Sequence, residues 1–197
     1  MQHDASAGPR TALLGRLIYL MGPSGAGKDS LIDAARATLA AHNVVIARRV
    51  ITRSAEAKGE DAIGVSQERF EHMCAEGDFA LHWRANGLAY GIPVQIDSWL
   101  QQGCTVLVNG SRAHLAEARQ RYPDLLAVLL TVEPRVLRQR LLSRGRESLE
   151  DIERRLARSQ QLVVSDQDVC LLDNSTHLDD AVARLLDLLR KRGLLAS

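Results

Sequence analysis

Lysine is almost absent from this chain. Only Lys28, Lys58 and Lys191 occur, and arginine makes up the rest of the 25 basic residues. For most of these arginines base composition is reason enough. Those that face phosphate are another matter, because a guanidinium grips phosphate bidentately. A dominant charge is lacking too. Against 24 acidic residues the formal net charge is +1, which excludes a global field drawing the chain to nucleic acid or to a membrane. Cysteine is scarce: Cys74, Cys104 and Cys170 are odd in number, far apart and in no Cys-x-x-Cys spacing. That argues against a disulfide framework or a zinc site and predicts buried thiols in a reducing compartment. No apolar run is long enough to span a bilayer and no secretory signal is present, so a cytoplasmic setting is expected. His3, His42, His72, His114 and His177 are scattered and form no catalytic constellation with the carboxylates.

What the chain does have is Gly22-Pro23-Ser24-Gly25-Ala26-Gly27-Lys28-Asp29-Ser30. An apolar run, Arg16-Leu17-Ile18-Tyr19-Leu20-Met21, precedes it and a helical pattern from Leu31 follows it. Strand, glycine-rich loop, then helix is the setting of a phosphate-binding P-loop. The glycines let the backbone curl so that several N–H groups point at one anion. The helix adds the positive end of its dipole, and Lys28 adds a mobile charge for the β- and γ-phosphates. A turn that merely joins strand to helix needs neither the lysine nor both glycines. The residue after the lysine is usually Ser or Thr, whose hydroxyl binds Mg²⁺. Here it is Asp29, itself a hard oxygen ligand, with Ser30 next. Magnesium is therefore expected at Asp29 or Ser30, directly or through water, with ATP as the nucleotide.

Over 197 residues, enough for one α/β domain, β-rich runs alternate with helical patterns. Strands are expected at 44–50, 104–109, 125–130 and 169–172, and helices at 31–41, 67–76, 94–102, 112–121, 135–143, 149–161 and 179–192. This alternation predicts an α/β fold, a parallel sheet covered by helices on both faces, with ligands at the carboxyl ends of the strands. Residues 1–15 carry little pattern and read as a loose segment before a single domain over 16–197. Residues 51–92 break the rhythm and read as a small insertion. The run Arg144-Gly145-Arg146-Glu147-Ser148 reads as an arginine-rich hinge, a lid over 143–150 that closes on transferring phosphate.

In order and spacing, several pieces together resemble the guanylate-kinase-like branch of the nucleoside monophosphate kinases. They are the P-loop, Thr52-Arg53, Gly59-Glu60, Val65-Ser66 with Phe70, Phe79 with Trp83, Tyr90-Gly91, Arg144-Gly145, and Ile152 with Arg154-Arg155-Leu156. The likeness runs over nearly the whole chain from Arg16. It implies a P-loop kinase fold in which Arg53 and Tyr90 hold an acceptor phosphate in the insertion. It further implies that Arg140, Arg144 and Arg155 surround the phosphoryl group in flight.

The departures are informative. Where the resemblance puts a guanine-reading carboxylate stands His82, and two serine positions fall at Arg49 and Ile92. A second phosphate-binding arginine falls near Glu56, and an acidic pair is replaced by Asn109-Gly110-Ser111-Arg112. Without hydrogen-bonding partners a site cannot select a base steeply, so GMP is not the expected acceptor. The Lys-Asp-Ser ending of the loop, with Asn-Gly-Ser-Arg, resembles branch members that act on ribose 1,5-bisphosphate in phosphonate breakdown. That likeness implies a phosphorylated sugar as acceptor and 5-phosphoribosyl 1-diphosphate as product. Asn109 and Arg112 then become candidates for the ribose or its second phosphate, and Arg49 for that phosphate. His82 is a candidate for a sugar hydroxyl, with a structural histidine equally open. Two alternatives remain: a monophosphate kinase with altered base choice, and a non-catalytic binding module, which would need neither Lys28 nor the lid arginines.

Overall fold

A computed structural model describes residues 15–53, 61–144, 148–161 and 168–195. At its centre is β1 (Leu17–Met21), buried along its whole length. Four strands join it in parallel: β2 (Val44–Ile46), β7 (Thr105–Asn109), β8 (Leu126–Thr131) and β9 (Val169–Asp173), in the order β2-β7-β1-β8-β9. Successive side chains of β1 alternate between two cores, as a strand covered on both faces requires. Ile18 and Leu20 meet α1 (Lys28–Ala41) and α7 (Leu178–Lys191) through Leu31, Ala35, Leu185 and Leu189. Leu17, Tyr19 and Met21 meet α3 (Gln95–Gln101) and α4 (Leu115–Arg121) through Ile96, Leu100, Leu115 and Ala118. The doubly covered parallel sheet is the one the alternating pattern predicts. No described helix is long and apolar enough to cross a membrane.

The run 44–50 is not one strand. It breaks at Ala47, whose N–H makes a last bond to Leu107 O at 3.0 Å. β3 (Arg49–Ile51) then enters a second sheet with β4 (Ala62–Gly64), β5 (Phe79–Ala85) and β6 (Leu88–Pro93), in the order β4-β3-β6-β5. Local β-propensity is uniform across the run, and only pairing partners far along the chain divide it. One side of this sheet carries α2 (Gln67–Glu76), with Phe70 stacked on Phe79 at 4.7 Å. Trp83 and Ile92 join the core of the main sheet. The segment expected as one helix over 112–121 opens with a separate 3-10 turn, Arg112–His114. The three cysteines, expected in the core, are half-buried free thiols.

β1 lies between β7 and β8, and the chain crosses from one side of it to the other between those two strands. The carboxyl ends of β1, β7 and β8 therefore frame a crevice where an α/β sheet binds ligands. α5 (Pro134–Arg144) and α6 (Leu149–Gln161) pack together through Leu137, Leu141, Ile152 and Leu156. Residues 145–147 of the expected lid, and Gly59, Glu60 and Glu56, lie outside the described residues.

Candidate active site

The loop after β1 has no room for side chains at its glycines. A β-carbon on Gly22 would stand 2.8 Å from Leu130 O on β8. Gly25 and Gly27 take left-handed backbone, φ 91° and 89°, which a larger residue enters at a cost. Helix α1 begins at Lys28, three residues earlier than its apolar spacing suggests, with Gly27 as N-cap. A glycine cap offers no side chain to the first helical N–H groups, so they are left to meet an anion. The Lys28 ammonium donates to Gly22 O at 2.9 Å and Pro23 O at 3.2 Å. It is thus held at the loop it serves.

One buried side chain braces this loop from behind. Asn174, following β9 and buried, donates through Nδ2 to Ala26 O at 2.7 Å. The same Nδ2 lies 2.8 Å from where a β-carbon on Gly27 would be. Arg140 of α5 brings Nη1 to 3.9 Å from that point, so one of the expected catalytic arginines stands beside the P-loop. Arg144 and Arg155 lie on α5 and α6, and their side chains fall outside the described residues.

Facing the loop is a second group. Arg49, only 8% exposed, donates through Nη1 to Asn109 O at 3.2 Å and places Nη2 3.8 Å from Asp29 Oδ1. Its guanidinium lies over the Tyr90 ring at 5.3 Å, and Tyr90 stacks on Trp83 at 5.6 Å. Asn109 Nδ2 donates to Asp29 Oδ1 at 2.7 Å. The fold thus brings Asp29, Arg49, Tyr90 and Asn109 into one cluster at the end of β7. Arg112 follows in the next turn, half-buried, and burial pulls its guanidinium below the ordinary value. That turn is clamped by Tyr19, whose hydroxyl donates to Ser111 O at 3.0 Å and accepts from Ser111 N at 2.9 Å. Burial pushes the Tyr19 phenol up to about 12.

Other expected residues stand elsewhere. Arg53 lines an open groove of about 470 Å³ with Thr52, Gly64, Ser66 and Gln67. His82 is exposed and pairs with Gly91, one position out of phase with the Trp83–Tyr90 pair. Its ring tilts toward Phe79 at 6.3 Å, on the sheet face opposite Tyr90. Ile92 is fully buried in the core. Sequence reading missed Asn174, because Asp-Asn-Ser after a strand reads as an ordinary turn. It also missed the contact between Asp29 and Asn109, which are 80 residues apart.

The guanylate kinase family model matches residues 14–192. The ribose 1,5-bisphosphate phosphokinase of Azotobacter vinelandii is 65% identical over 90% of this chain and 97% of its own. That of Pseudomonas paraeruginosa is 63% identical over 88% and 95%. The guanylate kinase of Anaplasma phagocytophilum shares the fold, with a TM-score of 0.67 at 18% identity over 91% of this chain and 87% of that one. The chain belongs to the guanylate kinase family, and within it stands beside the two phosphokinases.

Proposed function

We propose that the chain transfers the γ-phosphoryl group of ATP to the C1 phosphate of ribose 1,5-bisphosphate, giving 5-phosphoribosyl 1-diphosphate and ADP. The observation that carries this reading is the 65% identity to a phosphokinase of that name along nearly the full length of both chains. The site supports it: Asp29, Arg49, Tyr90 and Asn109 form a polar cluster, Arg49 and Asn109 buried within it, and apolar Ile92 is withdrawn into the core.

An acceptor phosphate oxygen is anionic near neutral pH and attacks without a strong general base. The new P–O bond forms as the bond from the γ-phosphorus to the bridging oxygen of ADP breaks. Catalysis is then alignment and charge neutralisation. The P-loop N–H groups and Lys28 hold the triphosphate. By resemblance Arg53 and Tyr90 hold the acceptor phosphate, Arg53 from the groove it lines with Thr52 and Gly64, and Arg49 and Arg112 serve its second phosphate. Arg140, with Arg144 and Arg155, draws charge from the phosphoryl group in flight. The first turn of α1 fits magnesium by donor chemistry, since Asp29 and Ser30 bring hard oxygen atoms beside Lys28. When bound, the ion supplies charge neutralisation and orients the β- and γ-phosphates. The reaction draws on cytoplasmic ATP. Labelled ATP with ribose 1,5-bisphosphate, GMP and AMP in parallel tests the reading. Phosphorylation of GMP at least as efficient as that of the sugar bisphosphate would overturn it.

A further inference from the structure

Asn109 has unequal partners at its two amide atoms. Nδ2 donates to Asp29 Oδ1 at 2.7 Å, and the backbone carbonyl takes Arg49 Nη1 at 3.2 Å. Oδ1, in a residue only 5% exposed, meets no hydrogen-bond partner among the described residues. A buried amide oxygen left bare is unfavourable, so the position calls for a donor from outside. The amide cannot turn over, because that would set its oxygen against the Asp29 carboxylate. Oδ1 therefore offers an incoming ligand an acceptor that only a donor can satisfy. A phosphate dianion is also an acceptor and cannot satisfy it. A hydroxyl can.

We infer that Asn109 Oδ1 accepts a hydrogen bond from a ring hydroxyl of the phosphorylated sugar, and that Asp29 is the positioning residue that fixes the amide in that sense. This rests on the reading of the acceptor as ribose 1,5-bisphosphate and goes beyond it. It assigns Asn109 to a hydroxyl and leaves the second phosphate to the arginines. Asp29 sits in the first turn of α1, so the hydroxyl reader and the phosphate-binding loop share one anchor. The competing partner is an enclosed water. A cavity of about 20 Å³, walled in part by Asp29, Arg36, Arg49, Asp61 and Asn109, has room for one.

The test compares ribose 1,5-bisphosphate with its 2-deoxy and 3-deoxy counterparts, by kcat/KM and by calorimetric binding without nucleotide. The unaltered protein should lose about tenfold or more on one of the two deoxy acceptors. Asn109→Ala should shrink that ratio to about twofold or less. Asp29→Asn keeps the shape of the contact but lets either amide orientation form, so it should shrink the ratio as well. It decides the matter if Asn109→Ala does not fold. Equal use of all three acceptors by the unaltered protein overturns the inference alone and gives Oδ1 to the enclosed water. Discrimination kept in full by folded Asn109→Ala, or by Asp29→Asn, does the same. Failure to bind or turn over the sugar bisphosphate itself overturns the functional reading and the inference with it.

Discussion

Lys28→Ala separates an enzyme from a binding module. Lys28 is half-buried, and its ammonium donates to the loop carbonyls Gly22 O and Pro23 O. Water can replace both bonds at this partly open position, so the fold should lose only about 1 kcal/mol. The glycine geometry that shapes the loop is untouched, because it depends on backbone angles and on Leu130, Leu141 and Asn174. The chemical step is another matter. A point charge that follows the γ-phosphoryl group contributes about 3 kcal/mol of transition-state stabilisation. That corresponds to roughly a hundredfold loss of turnover or more. The assay is single-turnover transfer from labelled ATP, with thermal unfolding of the same preparation as the control. A folded Lys28→Ala protein that transfers phosphate at a near-normal rate would refute the reasoning and favour a non-catalytic module.

Three further outcomes follow from the same geometry. Arg140→Ala should lower kcat with a modest change in KM for ATP, because a charge-drawing contact strengthens as the phosphoryl group leaves; unchanged kinetics would make Arg140 a structural brace only. Asn174→Ala removes the buried bond to Ala26 O and should raise KM for ATP by about tenfold through a loosened loop, with Asn174→Asp failing to rescue because a carboxylate cannot donate. Tyr19 is held protonated by burial, with its pKa pushed up to about 12. Its contribution to stability is whole below about pH 10, the unfolded value, and is lost as pH rises toward and through 12, about 3 kcal/mol in all. Tyr19→Phe should lose less stability than the unaltered protein over that interval in urea unfolding, and an equal loss would contradict the assignment.

The phosphate loop was legible because its information is local. Glycine spacing, a lysine and the flanking strand and helix all lie within a few dozen residues of one another. The doubly covered sheet was legible from strand and helix periodicity. The division of 44–50 into β2 and β3 was not, since Val and Ile favour strand throughout and only the partners β7 and β6 distinguish its halves. The position of His82 is set by its register against Gly91 and by the irregularity between Phe79 and Leu81, which no spacing rule reports. Asn174 braces Ala26 from 148 residues away. Its role exists only because β9 lies beside β8, next to the strand that feeds the loop. By resemblance Arg49 stands where a serine is expected. Its packing over Tyr90 and against Asn109 emerges only when the two sheets meet.

The measurement that bears most directly on the central claim is the ratio of kcat/KM for ribose 1,5-bisphosphate to that for GMP, with ATP and magnesium saturating. The proposed acceptor wall carries Arg49, Tyr90 and Asn109, with Ile92 withdrawn into the core. An unpaired polar group of a base costs about 1–3 kcal/mol, so two or more such groups should set the ratio at roughly a hundred or above. A ratio at or below one would contradict the account and restore a nucleoside monophosphate kinase.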